Sequence, residues 1–386
     1  MSWDKVTLGD IASNIQTGPF GSQLHQSDYS VFGTPVVMPK DLSEGRISET
    51  SIARVSDDHV NRLSRHKIEV GDILYSRRGD VGRCAYATET EKGWLCGTGC
   101  LRVTIDAEKA NAKFVFYQLQ KPDTVGWVEK HAIGSAMLNL NTSILSNVPV
   151  ILPPLETQER IADILSAYDN LIENNQKQIR LLEEATRRLY KEWFVDFRFP
   201  GHESVTITDG VPLGWRQGTL SEISTFKRGK TITKEQAQKG TIPVVAGGLS
   251  PAYYHNEANT VAPVITVSGS GANAGFTRLY HVNVFASDCS FADSTSTPYV
   301  YYAYCFLKEN EAKINALQKG SAQPHVYAKD LNALKLYVPD VKILESYIQA
   351  VEAYFKKIAV LERQMNIATE ARNRLLPVLM SKELEV

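Results

Sequence analysis

The sequence predicts an α+β chain: two mixed α/β heads, and two long helices that pack on each other as a coiled coil. Three observations predict it. The run from Leu155 to Phe199 contains neither proline nor glycine, although the chain of 386 residues holds 16 prolines and 25 glycines. The chain is written twice, with matching stretches near its start and middle and again before each predicted helix. A heptad of apolar residues in the first long run recurs in the second copy without a change of frame.

The repeat sets the boundaries. Trp3, Thr7, Leu8, Asp10 and Ile11 align with Trp215, Thr219, Leu220, Glu222 and Ile223 at an offset of 212. Further on, Gly134-SAMLNL aligns with Gly320-SAQPHV at an offset of 186. This second offset holds without a gap through Leu145/Leu331, Pro153/Pro339, Tyr168/Tyr354 and Arg188-Leu189/Arg374-Leu375. The fall from 212 to 186 makes the second copy 26 residues shorter inside its globular part. A variable head on a stalk of fixed length is the simplest reading. The expected division is a first head over 1–154, a central helix over 155–195, a linker over 196–214, a second head over 215–340 and a C-terminal helix over 341–386.

In the first head, TPVVMPK and GDILYSRRGD read as strands, rich in β-branched or aromatic residues and bounded by turn formers. NAKFVFYQLQK reads as a helix. In the second head IPVVAGG, APVITVSGSG and HVNVFAS read as strands, and STPYVYYAYCFLKENEAKINAL as helical.

The stalks carry the clearest pattern. Alternating steps of four and three from Ile161 give Ile161, Leu165, Tyr168, Ile172, Asn175, Ile179, Leu182, Thr186, Leu189 and Trp193, of which eight are apolar. The same frame in the second copy gives Tyr347, Val351, Tyr354, Ile358, Leu361, Met365, Ala368, Arg372, Leu375 and Leu379, of which nine are apolar. Two matched helices of about 38 residues, each roughly 57 Å long, bury these seams most simply against each other rather than each against its own head. The polar Asn175, Thr186 and Arg372 would help set register. Pro377 is expected to end or kink the second helix early.

Composition narrows the function. The net charge of −1 describes no polyanion-coating surface, so any nucleic-acid contact must come from local basic patches. No apolar stretch approaches the ~18 residues of a membrane span, and the start, MSWDKVTLGD, has no signal-peptide pattern, which points to the cytoplasm. Five scattered cysteines fit reduced thiols. Cys84, Cys96 and Cys100 lack the second ligand pair of a zinc site, and no metal is expected. Enzyme motifs fail on context. Gly269-x-Gly271-x-x-Ala274 matches a dinucleotide fingerprint, but the following FTRLYHVNVFAS alternates like a strand where a helix is required. Gly229-Lys230-Thr231 resembles the end of a phosphate loop whose first glycine is replaced by Ser224, with no strand leading into it. A duplicated binding protein remains.

The run LPPLETQERIADILSAYDNLIENNQKQIRLLEEATRRLYKEWFVDFRFPGHE, followed by Val211-PLGW, resembles the central region of specificity subunits of type I restriction-modification systems. TGPFGSQLHQSDY with GDILYSRRGDVG, and GSAQPHVYAKDL, are similar to segments of that family's target-recognition domains. The resemblance implies that the heads are such domains, each reading one half of a split double-stranded DNA target. It also implies that the two helices are antiparallel, relate the two halves by a pseudo-twofold internal repeat, and fix the separation of the half-sites. The subunit would have no catalysis and no cofactor of its own. Two copies of a methyltransferase subunit carrying S-adenosylmethionine, and motor-nuclease subunits using ATP and magnesium, would assemble on it. Two other classes stay open: a two-headed coiled-coil adaptor for proteins or glycans, and a fragment of a fused restriction-methylation enzyme.

Cations on loops should supply affinity, and amides, hydroxyls and arginines at base edges specificity. In the first head the candidates are Ser22, Gln23 and His25 on the loop GSQLH, with Arg77, Arg78 and Arg83 around SRRGDVGR. In the second they are Lys227, Arg228 and Lys230 on the RGK loop, Ser270, Asn273 and Arg278 around the glycine-rich turn, and Gln323 and His325 in the closing segment.

Overall fold

The computed structural model describes residues 3–134, 137–319 and 324–381. Two compact units make up the chain, Met1–Ile172 with Ile367–Val386, and Glu173–Asn366. The division cuts through both long helices, so each unit holds one head and a part of each helix.

In the first unit, Ala12–Thr17, Cys100–Ile105, Ile73–Ser76 and Cys84–Tyr86 form, in that order, an antiparallel four-stranded sheet. Thr34–Val37 is flanked by Ala53–Val55, antiparallel, and Leu95–Cys96, parallel, in a smaller sheet. Asp4–Thr7 pairs with Pro149–Leu152 just before the central helix, closing the head at its base. The second unit repeats this plan. Its four-stranded sheet runs Lys227–Arg228, Cys289–Asp293, Val264–Ser268 and Thr277–Tyr280. Ile242–Val245 lies between antiparallel Tyr253–His255 and parallel Phe285–Ala286, and Arg216–Thr219 pairs with Lys335–Val338. The predicted strand patches supply five of these strands, Thr34–Val37, Ile73–Ser76, Ile242–Val245, Val264–Ser268 and Phe285–Ala286, and the predicted helical patches become Ala112–Leu119, Val300–Glu309 and Glu311–Ala316. Thr277–Tyr280, directly after the glycine-rich turn and its single 3-10 turn at Gly271–Asn273, is a strand, so no α-helix begins there.

The central helix spans Leu155–Phe194 and the C-terminal helix Val341–Ser381. They run antiparallel in each unit. In the first, Ile161 and Leu165 share a core with Leu375, Leu376, Leu379 and Met380, and Arg372 donates to the Asp169 carboxylate at 2.7 Å. In the second, Asn175 donates to Gln364 at 3.3 Å and the Tyr347 hydroxyl to the Thr186 carbonyl at 3.3 Å, so residues further along one helix meet earlier residues of the other.

The seam differs from the predicted frame at one turn. Tyr354 is exposed at 39%, whereas Phe355 is fully buried. A helix turns every 3.6 residues rather than 3.5, and a one-residue shift brings Phe355 over Tyr301, with ring centroids 4.2 Å apart and planes at 7°. Here the C-terminal helix packs on its head as well as on its partner helix. Pro377 departs from expectation too: it lies inside the helix, which continues to Ser381. The proline removes one donor only four residues from the helix end, and burial of Leu379 and Met380 holds the final turn. After the central helix, Phe197 and Phe199 each lie 5.4 Å from the Trp215 ring.

Candidate nucleic-acid interface

At one end of each four-stranded sheet, four loops are joined by main-chain hydrogen bonds. In the first head the Gly18 N–H donates to the Cys100 carbonyl at 2.9 Å and the Arg77 N–H to the Gly99 carbonyl at 2.8 Å. The Leu140 N–H donates to the Arg77 carbonyl at 2.8 Å, and the Gly79 N–H to the Leu138 carbonyl at 3.1 Å. Ile133 and Asn139 exchange bonds of 2.9 and 2.7 Å, closing the fourth loop. A Cβ on Gly18 would stand 2.0 Å from the Gly97 carbonyl oxygen, so only glycine lets the first loop approach.

The second head builds the same frame from different residues. Gly229 donates to Cys289 at 2.8 Å and Gly269 to Asp288 at 3.3 Å. Val326 donates to Gly269 at 3.1 Å and Gly271 to Pro324 at 3.0 Å, while Lys319 and His325 exchange bonds of 3.0 and 2.9 Å.

The candidate residues divide by what holds them. Gln23 is turned back on its own loop, its Oε1 accepting from the Phe20 N–H at 3.0 Å. The Arg83 guanidinium donates to Asp80 at 2.9 and 2.6 Å and to the Leu42 carbonyl at 3.1 Å, so its charge is compensated locally. Arg278 donates to the Leu249 carbonyl at 3.1 Å and lies over the Tyr280 ring at 4.8 Å. Asn273 reaches the Gly247 carbonyl at 3.4 Å, and the Ser270 hydroxyl donates to Asp288. Gln23, Arg83, Arg278 and Asn273 shape the loops, while Ser270, its proton committed to Asp288, keeps its oxygen lone pairs as acceptors.

Arg78, Lys227, Arg228 and Lys230 are exposed, and among the described residues none is held in an ion pair. They are the cations left to meet a polyanion. Ser22 and His25 are exposed on the first loop, where the His25 N–H donates to Asp28 at 2.8 Å. Arg77 is half-buried with its Nε buried and unpartnered. His325 stacks on Tyr327, centroids 5.8 Å apart at 9°. Gln323 lies outside the described residues.

Asn139 was absent from the sequence candidates, yet it pairs with Arg78 across an antiparallel bridge. The offset of 186 maps His325 onto it, so the repeat held the signal. The exposed apolar side chains Phe20, Ile133 and Met137 on the same loops were missed because apolar residues read as core from sequence alone.

Burial pushes the thiols of Cys84 and Cys96 up to about 12, keeping both protonated at neutral pH. Among the described residues no three His, Cys, Asp or Glu side chains converge as a metal site, and no helix is long and apolar enough to cross a membrane.

Each unit thus holds a head of the same plan that presents uncompensated cations on loops joined by main-chain bonds. The family model for the type I restriction modification DNA specificity domain matches residues 1–184 and 212–367, and the chain belongs to that family. It is 25% identical to the type I restriction enzyme MjaIX specificity subunit of Methanocaldococcus jannaschii, over all of this chain and 94% of the relative. It is 22% identical to the putative MjaX specificity subunit of the same organism, with the same coverage. The crystal structure of the S subunit of a type I restriction-modification system from M. genitalium superposes with a TM-score of 0.63 at 20% identity, over 98% of this chain and 96% of that one, and shares the fold. The protein is a sequence-specific DNA-binding subunit of a type I restriction-modification system.

Proposed function

We propose that each head reads one half of a bipartite, asymmetric DNA target and that the helix pair sets the length of the unread spacer. The observation that carries this reading is the loop frame present in both heads with different side chains on it. Two heads of one geometry and two chemistries suit two different half-sites. Cations such as Lys227 and Lys230 release condensed counterions from the phosphates and supply affinity, while neighbouring side chains contact base edges. A straight helix of about 40 residues rises roughly 60 Å, or one to two turns of B-DNA.

The subunit itself performs no bond-making step in this reading. Two methyltransferase subunits would bring S-adenosylmethionine, and motor-nuclease subunits ATP and magnesium, to a cytoplasmic complex assembled on this chain. Coexpression with the cognate methyltransferase, followed by genome-wide mapping of methylated adenines, tests the proposal. A motif of two short specified blocks around a fixed unspecified gap is expected; one continuous short motif overturns it.

A further inference from the structure

Beneath the sequence divergence of the two heads lies one pair of positions that the fold holds identically. In the first head, Arg78 and Asn139 face each other across an antiparallel bridge; in the second, Ser270 and His325 do. The residue before each of Arg78 and Ser270 accepts from the residue after its bridge partner: Leu140 to Arg77 at 2.8 Å, and Val326 to Gly269 at 3.1 Å. The residue after each is a glycine in the left-handed region, Gly79 at φ +75° and Gly271 at +78°. Each of these glycines donates across the loop, to Leu138 and Pro324. A serine stands two residues earlier in each: the Ser76 hydroxyl donates to the Arg78 carbonyl at 3.0 Å, and the Ser268 hydroxyl to the Gly247 carbonyl at 3.1 Å with the Ser270 carbonyl at 3.5 Å. On the partner strand, Asn139 is closed against Ile133 and His325 against Lys319 by reciprocal main-chain bonds.

The main-chain bonds of this frame are kept in both copies, while the two side chains standing on the bridge change. Directly opposed residues of an antiparallel bridge project to the same side with Cβ atoms roughly 5 Å apart. Arg78 is exposed, and among the described residues neither its side chain nor that of Asn139 has a hydrogen-bonded partner; in the second head Ser270 and His325 are half-buried, the serine donating to Asp288 and the histidine stacking on Tyr327, which leaves the hydroxyl lone pairs and the imidazole edge for contact. The fold thus fixes where two side chains are presented and leaves their hydrogen-bonding pattern free to vary, which is what a reading position requires. In the major groove, arginine matches the O6 and N7 acceptors of guanine, and asparagine the N6 donor and N7 acceptor of adenine; serine and histidine pair less selectively.

We infer that Arg78 with Asn139, and Ser270 with His325, are equivalent base-reading pairs, and that the first takes the major-groove edges of a guanine and an adjacent adenine. The inference rests on the proposed reading of the heads as half-site readers, and adds which residues set the bases. The structural alternative, that the pair only closes the loops, leaves the exposed guanidinium without a task, since the closure is made by main-chain bonds.

The test transfers the pair. In the intact complex coexpressed with its methyltransferase, Arg78→Ser with Asn139→His gives the first head the chemistry of the second, and Ser270→Arg with His325→Asn does the reverse. Methylated adenines are then mapped genome-wide. In the first variant, one or two adjacent base pairs in one block should lose their specification, with discrimination falling roughly tenfold to a hundredfold. The other block should be unchanged. In the second variant the change should fall in the opposite block. Single Arg78→Gln, at an exposed position, serves if a double variant fails to accumulate, and should degrade one guanine alone. An unaltered motif overturns the inference. So does a uniform loss of affinity for all DNA with a shallower salt dependence, which marks a phosphate contact. A wild-type map lacking two blocks would overturn the underlying reading, and the pair assignment with it.

Discussion

His66 shows how one buried side chain in the first head links stability to pH. The imidazole is 2% exposed, and its Nε2 accepts from the Arg65 Nε at 2.9 Å, so the ring is held neutral. Burial, then the neighbouring Arg65 and Arg102 charges, lower its pKa from 6.5 to about 4. The folded ring therefore stays unprotonated where the unfolded one gains a proton. Stability from this source is intact above pH 6.5 and is lost as pH falls from 6.5 towards about 4, by at most about 1.4 kcal/mol per pH unit. Urea unfolding of wild type and His66→Gln at pH 7, 6 and 5 should show the wild type losing stability more steeply, and parallel losses would refute the assignment. Nothing in the sequence marks His66, because its burial comes from strands distant in the chain. The same limit governs the interface. Arg78, Lys227, Arg228 and Lys230 were legible as cations beside glycine turns, but Arg83 and Gln23 are equally polar on equally loop-like stretches. Only tertiary geometry shows that Asp80 and the Phe20 N–H have already engaged them.

The elements were more legible than the residues because helix and strand periodicity is local. The central helix follows from a run without proline or glycine, and its seam from the heptad. Where two packing demands compete, periodicity alone misplaces a residue, as at Phe355, which must satisfy both the partner helix and Tyr301. Polar contacts then fix what apolar seams leave loose. Asp169 of the central helix accepts from Arg372 at 2.7 Å and from the Tyr117 hydroxyl at 2.5 Å, while its carbonyl accepts from Arg46 at 2.6 Å. One turn of helix thereby meets the C-terminal helix and two segments of the first head. Pro377 lies beyond this junction on an exposed face, and its missing N–H leaves the Asn373 carbonyl without the usual helical donor. Pro377→Ala should restore that bond and stabilise the first unit by on the order of 1–3 kcal/mol. Slower amide exchange across residues 373–381 and a higher Tm would be the signature; an unchanged or lower Tm would show that the proline is needed to seat Leu379 and Met380.

For the molecule as a whole, two heads of variable wording and two helices in strict register suggest that sequence reading and distance setting were separated in the fold. A heptad inserted into both helices tests this separation. Seven residues keep the apolar seam facing inward and add about 10.5 Å of helix, close to three base pairs at about 3.4 Å each. The insertion belongs between Ile172 and Asn175 in the central helix and between Gln364 and Ala368 in the C-terminal helix. There it leaves the Asp169–Arg372 junction of the first unit and the Thr186–Tyr347 contact of the second on their own sides. The methylation motif of the paired insertion should keep both blocks letter for letter while its gap grows by about three base pairs. Insertion in one helix alone should not give this result. It displaces Arg372 from Asp169 or Tyr347 from Thr186, burying polar groups without partners and costing fold rather than resetting length. A paired insertion that folds and methylates with the original gap would show that something other than the helices holds the half-sites apart.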